Sequence, residues 1–176
     1  MTGQPSLPGW LKPANRIIIL LERLGLPLGT MHLLSVPGRK SGQMRTTPVS
    51  LLSVDGRRYL VGGMINADWV KNARAAGWGI LAYGRKRERV ALTELPEAER
   101  GPILRVFPKL VPGGVSFFRR LYGLPSDPAA LPDAFAALAP RSTVFQIAPL
   151  TGRDAGGTPK GARQMASLPH PPQMCC

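Results

Sequence analysis

Cysteine is nearly missing from this chain: there are two, Cys175 and Cys176, and they are its last two residues. Neighbours in sequence cannot join distant parts of a fold, so a disulfide framework is excluded. A core built without disulfides leads us to expect a cytoplasmic protein. Histidine is as scarce, with only His32 and His170. A metal centre needs several His, Cys or acidic ligands together, and a serine hydrolase needs a base beside its serine. Neither pattern occurs, and His32 reads as a strand histidine with a satisfied hydrogen bond. No run approaches the roughly 20 apolar residues of a membrane span; the densest is residues 17–21. No basic segment followed by an apolar stretch and a small-residue cleavage site opens the sequence, so we expect no secretory signal.

Acidic residues are few too. Ten Asp+Glu against 23 Lys+Arg leave a net charge of +13, and such an excess calls for an anionic partner: nucleic acid, a membrane face or a small molecule. Two nucleotide-binding strings fail on context. Gly38-Arg39-Lys40-Ser41 lacks the upstream glycine and the Gly-Lys-Ser order of a P-loop. Gly77-Trp78-Gly79-Ile80-Leu81-Ala82 follows a predicted helix and enters a predicted strand, the reverse of a dinucleotide fingerprint.

What is present is a globular composition, 44% hydrophobic and 19% charged over 176 residues, which suits one domain. We expect a flexible lead over residues 1–10, a folded domain over 11–150, and a disordered Gly/Pro-rich tail over 151–176. The spacing predicts a helix over 10–24, strands over 31–36 and 46–54, and a hairpin at Asp55-Gly56. The returning strand, 57–64, places Tyr59 and Val61 on one face and Leu60 on the other. Asn66 is expected to cap a helix over 67–76 that Gly77 ends. A second hairpin joins 78–83 to 87–95. A helical region from residue 96 is expected to break at Pro102 and Pro108 and resume over 115–122, before a last strand over 142–150. Hairpins without parallel crossovers predict an α+β fold, a mostly antiparallel split β-barrel with flanking helices.

The most informative segment lies between the first two strands. Gly38 and Gly42 allow backbone N–H groups to converge on an anion, and Arg39, Lys40 and Arg45 place three cations within seven residues. Arg45 can meet a phosphate with a two-pronged guanidinium. A solvated basic loop would carry the same charges.

The string GRKSGQMRTTP, followed by the Asp55-Gly56 hairpin and then Asp68-Trp69-Val70-Lys71-Asn72, resembles the deazaflavin-dependent nitroreductase family, actinobacterial F420-dependent oxidoreductases also described as F420H2-dependent quinone reductases. The resemblance covers residues 10–150. It implies a split barrel related to flavin-binding barrels, with coenzyme F420 in a groove. That coenzyme is planar at one end and polyanionic at the other, through a phosphodiester and a chain of glutamates. Carried over by position, Arg39, Lys40, Ser41 and Gly42 match the tail-binding turn. Arg45, Thr46, Thr47, Pro48, Val49 and Ser50 match the phosphate- and ring-lining strand. Gly62, Gly63 and Met64 match the strand end beside the cofactor, and Trp69 and Asn72 the helix residues that close the site. Some members place a lysine at or beside position 64; here the charge must come from Arg45 or Lys71.

The implied reaction moves a hydride from reduced deazaflavin to a lipophilic electrophile: a quinone, an enone or a nitro compound. Tyr122 is the implied donor near the acceptor. Phe117, Phe118 and Leu121 offer an apolar mouth. Arg105, Lys109, Arg119 and Arg120, with Trp10, Lys12 and Arg16, could face anionic lipid at the inner membrane surface. Three other readings compete. One is a non-catalytic carrier of F420 or lipid; another is an FMN-dependent reductase. The third, a nucleic-acid binder, lacks an aromatic–basic stacking pattern. The protein could be a monomer or a homodimer.

Overall fold

A computed structural model of the chain describes residues 31–150. The expected helix over 10–24 and the tail over 151–176 lie outside the described residues. Six strands, β1 (Met31–Pro37), β2 (Met44–Val54), β3 (Arg57–Gly62), β4 (Trp78–Tyr83), β5 (Lys86–Glu94) and β6 (Thr143–Pro149), close into a barrel in the order β1-β2-β3-β6-β5-β4. Every neighbouring pair is antiparallel. Four helices accompany them among the described residues: α1 (Asp68–Ala76), α2 (Glu97–Leu110), α3 (Pro112–Tyr122) and α4 (Leu131–Ala136). The α+β barrel with flanking helices is the architecture read from the sequence.

Local chemistry explains the connections. Asp55 and Gly56 both hold positive φ, 49° and 73°, the pair of left-handed residues whose twist matches two flanking strands. Side-chain alternation then sorts β3 between two cores. Leu60 points into the barrel with Leu34, Val36, Val90 and Phe145. Tyr59 and Val61 point outward, under Leu104, Phe107, Phe118 and Phe135 of α2–α4. Phe107 stacks on Phe135 at 5.2 Å and meets the edge of Phe118 at 5.0 Å. Burying each such ring stabilises the fold by about 1.5–3 kcal/mol.

Three expectations need correction. Helix α2 runs unbroken through Pro102 and Pro108. Each proline forfeits one backbone bond, but buried Ile103, Leu104 and Phe107 hold that stretch helical against the barrel. The break falls at Val111, after which Pro112 opens α3 from the first turn, where its missing N–H costs nothing. Asn66 does not cap α1: Ala67 occupies the cap position and no side chain bonds the first turn. Helix α4 was not expected, although Leu131, Phe135 and Leu138 are buried at helical spacing. Gly77 ends α1 as read, with φ 68° and its N–H bonded to the Ala73 carbonyl at 2.8 Å.

One feature of the register creates the site. β1 pairs with β2 from Met31↔Ser50 to Pro37↔Met44, whereas β3 pairs with β2 only from Ser50↔Val61 to Val54↔Arg57. Residues 44–49 therefore have a strand neighbour on one side only. Pro48, which has no N–H to give, sits in that stretch, where a sheet tolerates it.

Candidate functional site

The basic turn between β1 and β2 is closed on itself. Gly38 N–H donates to the Gln43 carbonyl at 2.8 Å, and Gly42 N–H to the Gly38 carbonyl at 2.7 Å. Gly42 has φ 68°, a conformation that a side chain would strain. From this turn Arg39 reaches across to α1. Its backbone N–H and Nη1 both donate to Asn72 Oδ1, at 3.2 and 2.9 Å, and Nη2 donates to Asp68 Oδ1 at 3.1 Å. Asn72 is buried, so its amide is a fixed anchor for the turn.

Between turn and helix lies a cleft of about 1180 Å³. One end is cationic, lined by Arg39, Lys40 and Arg45 with Ser41 beside them. Along its length run Thr46, Thr47, Pro48, Val49 and Ser50, the stretch of β2 that β3 leaves uncovered. Gly62, Gly63 and Met64 line the opposing wall, with Trp69 and Asn72 from α1. Thr46 is held by a hydroxyl–hydroxyl bond to Ser35 at 2.8 Å. Of the binding residues read from the sequence, only Gly42 does not line the cleft; it shapes the turn instead. Lys71 is exposed and lies outside the lining, so Arg45 is the cation nearer the role considered for both.

The wall is built around absent side chains. A Cβ at Gly62 would come within 2.6 Å of both Trp69 Cζ2 and Thr143 Cγ2, and one at Gly63 within 2.7 Å of Phe117 Cε1. Behind it, Glu94 accepts from Arg74 Nε at 2.5 Å and Nη2 at 2.8 Å, from Thr143 Oγ1 at 2.7 Å and from Arg100 Nη2 at 3.2 Å. The Arg74 hydrogen bonds, above all, hold its carboxyl below the ordinary value, against an opposing effect of burial; Thr143 and the two arginine charges add to the lowering. Arg100 is itself buried and also donates to the carbonyls of Leu95 and Ser142. This hub ties α1, α2, β5 and β6 together beneath the cleft.

The far end of the cleft is apolar: Phe107, Val111, Pro112, Gly113, Gly114, Phe117 and Phe118 at the α2–α3 corner. The sequence reading included Phe117 and Phe118 but missed the corner. Its visible signal is Pro112-Gly113-Gly114, a helix start without side chains. Asp68, also missed, is the one acidic side chain among the described lining residues.

Tyr122 is not brought to the cleft. Its hydroxyl points to the carbonyls of Gly63 and Arg141, the latter at 3.1 Å, and the Arg141 guanidinium lies 5.0 Å from the ring centroid. Burial pushes the phenol above its ordinary range, while the Ser142 hydroxyl and the Arg141 charge pull the other way. The donor role expected for Tyr122 thus meets a hydroxyl already committed to the main chain. Of the cations expected to face lipid, Arg105 pairs with Asp133 at 2.6 Å and Arg119 bonds the Pro125 and Ser126 carbonyls. Trp10, Lys12 and Arg16 lie outside the described residues. Among the described residues no helix is long and apolar enough to cross a membrane, and no group of His, Cys, Asp and Glu could hold a metal ion.

The family model for F420H(2)-dependent quinone reductase matches residues 22–112, more than half of the chain. The chain belongs to this family. The matched stretch contains the basic turn, the uncovered part of β2, the glycine wall and α1, and it ends at the first residue of α3. Phe117, Phe118 and Tyr122 therefore fall beyond what the quinone reductase family model covers. Among the solved structures that match, three show similarity at low sequence identity. One, described as F420-H2 Dependent Reductase (FDR-A), is 17% identical over 68% of this chain and 94% of its own, with a TM-score of 0.45. A second, a domain-swapped dimer, is 16% identical over 79% and 97%, with a TM-score of 0.49. The third, a pyridoxamine 5'-phosphate oxidase-related FMN binding protein from Nostoc punctiforme, is 12% identical over 82% and 83%, also at 0.49. No curated protein matches the chain.

Proposed function

We propose that this protein is an F420H2-dependent oxidoreductase that reduces a lipophilic electrophile, of the quinone, enone or nitroaromatic type. The observation that carries the reading is the polarity of a single cleft: cationic at the β1–β2 turn, hydroxyl-lined along β2, and apolar and aromatic at the α2–α3 corner. Coenzyme F420 has the same gradient, from an acidic tail to a flat ring, and the donor set fits it.

When bound, the reduced deazaflavin supplies a hydride from its C5 carbon. Lys40 and Arg45 would hold phosphate and carboxylate, since neither side chain makes a hydrogen bond or ion pair among the described residues. Arg39 keeps the turn seated on α1. The residues of β2 that lack a β3 partner offer an edge along which a planar ring can lie. Gly62 and Gly63, having no side chains, let Trp69 and Phe117 pack directly on the opposing wall. Phe117 and Phe118 exclude water from the face where an apolar acceptor would press, which strengthens every electrostatic interaction inside. Positioning of this kind, rather than a protein acid or base, is what a hydride step demands.

Side-by-side fluorescence titration with F420, FMN and NADPH tests the cofactor. Anaerobic F420H2 oxidation with menadione, cyclohexenone and a nitroimidazole tests the acceptor. Binding of F420 with acceptor-dependent oxidation supports the proposal. Preference for FMN overturns the cofactor, and F420 binding without any oxidation identifies a carrier.

A further inference from the structure

Within the cationic end of the cleft, Arg39 differs from its neighbours in being already engaged. Two of its donors go to Oδ1 of Asn72, a residue only 6% exposed. Its third contact, Nη2 to Asp68 Oδ1 at 3.1 Å, is of another kind, because the Asp68 side chain is 86% exposed while that of Arg39 is 31% exposed. An exposed ion pair of this sort contributes little stability and yields readily to a competing anion. Asp68 is also the one acid lining a wall that otherwise presents Arg39, Lys40 and Arg45.

We propose that Asp68 is an internal competitor for the anionic end of the bound cofactor: a selectivity residue that occupies the free side of Arg39 and lowers affinity for acidic tails. This inference rests on the cofactor reading above. A carboxylate or phosphate arriving at Arg39 must displace Asp68 and then share the site with its charge. The penalty grows with the number of negative groups that reach the turn and vanishes for a ligand that has none. Asp68 thereby favours release of a polyanionic ligand over indefinite retention. Asn72, held to the same arginine through a neutral amide, carries no such penalty and serves only as the anchor.

The test is equilibrium binding rather than turnover. Wild type, Asp68→Asn and the charge-retaining Asp68→Glu are titrated with F420 and with its uncharged, tail-less deazaflavin fragment, at low and at moderate salt. The expected result is F420 binding about two- to five-fold tighter in Asp68→Asn, the span of an exposed pair, with Asp68→Glu near wild type and fragment binding equal in all three. The Asp68→Asn gain should shrink as salt rises. Unchanged or weaker F420 binding by Asp68→Asn overturns the inference, as does an equal gain for the tail-less fragment. Failure of wild type to bind F420 at all is a separate outcome, which removes the cofactor reading and this inference with it. Thermal melts of the three variants identify any that fails to fold, and Asp68→Ser then replaces Asp68→Asn with the same expected gain.

Discussion

Trp69 stands so close to Gly62 that a single methyl group at position 62 would lie 2.6 Å from its Cζ2 atom, and equally close to Thr143 Cγ2. The glycine lets α1 settle against the end of β3 and keeps the cleft wall flat. Gly62→Ala should therefore force the indole or β6 to shift, costing about 1–3 kcal/mol, the usual range for overpacking. Urea denaturation would measure the loss; a variant as stable as wild type would mean that Trp69 moves freely, and the wall would not be rigid.

The cationic end makes a second prediction. Lys40→Ala and Arg45→Ala should each weaken F420 binding by about 1.5–3 kcal/mol, the range for hydrogen bonds to charged groups. Both side chains are exposed on a turn or strand edge, so melting temperatures should stay near wild type. Titration at two salt concentrations checks this, and unchanged affinity in both variants would remove the basic turn as the anion site.

Tyr122 separates a structural from a chemical role. Loss of its hydroxyl in Tyr122→Phe leaves the Gly63 and Arg141 carbonyls without that donor, and should cost about 0.5–1.5 kcal/mol of stability. Steady-state kinetics decide the rest. A kcat within a few-fold of wild type fits a strut that fixes Gly63, whereas a fall of about a hundredfold, or nearly 3 kcal/mol of barrier, would mean the phenol reaches the acceptor after all.

What could be read in advance follows from which interactions are local. The Asp55-Gly56 turn, the alternation of Tyr59, Leu60 and Val61, and the left-handed Gly77 are each set by a few adjacent residues, and all three are found where the pattern puts them. The basic turn was legible because its cations and glycines are contiguous. Continuity of α2 through Pro102 and Pro108 was not, since it depends on Leu104 and Phe107 packing against a barrel distant in sequence. The α2–α3 corner escaped notice for the same reason. Its Phe107, Val111 and Phe117 become cleft residues only because β3 stops pairing with β2 at Ser50. The contacts of the Tyr122 hydroxyl with the Gly63 and Arg141 carbonyls were not legible, because a sequence does not tell which way a half-buried ring points.

The hub at Glu94 gives the molecule an acid limit. Its carboxyl sits below its ordinary value of about 4.5, chiefly through the Arg74 hydrogen bonds. A carboxyl with a depressed folded-state value stabilises the fold above its unfolded value, and that contribution disappears as pH falls through the folded one. The window of loss thus opens near pH 4.5 and extends downward. Glu94→Gln keeps the shape but not the charge, leaving Arg100 buried without its carboxylate partner. At pH 7 the variant should be less stable by on the order of 2 kcal/mol, in keeping with charged hydrogen bonds. The difference should narrow as pH falls below 4.5, because wild type then loses the same charge. Melting temperatures of both proteins from pH 3 to 8 would trace two curves that converge at the acid end. Parallel curves would mean that the Glu94 charge contributes nothing, and that Thr143 and the backbone alone hold the floor of the cleft.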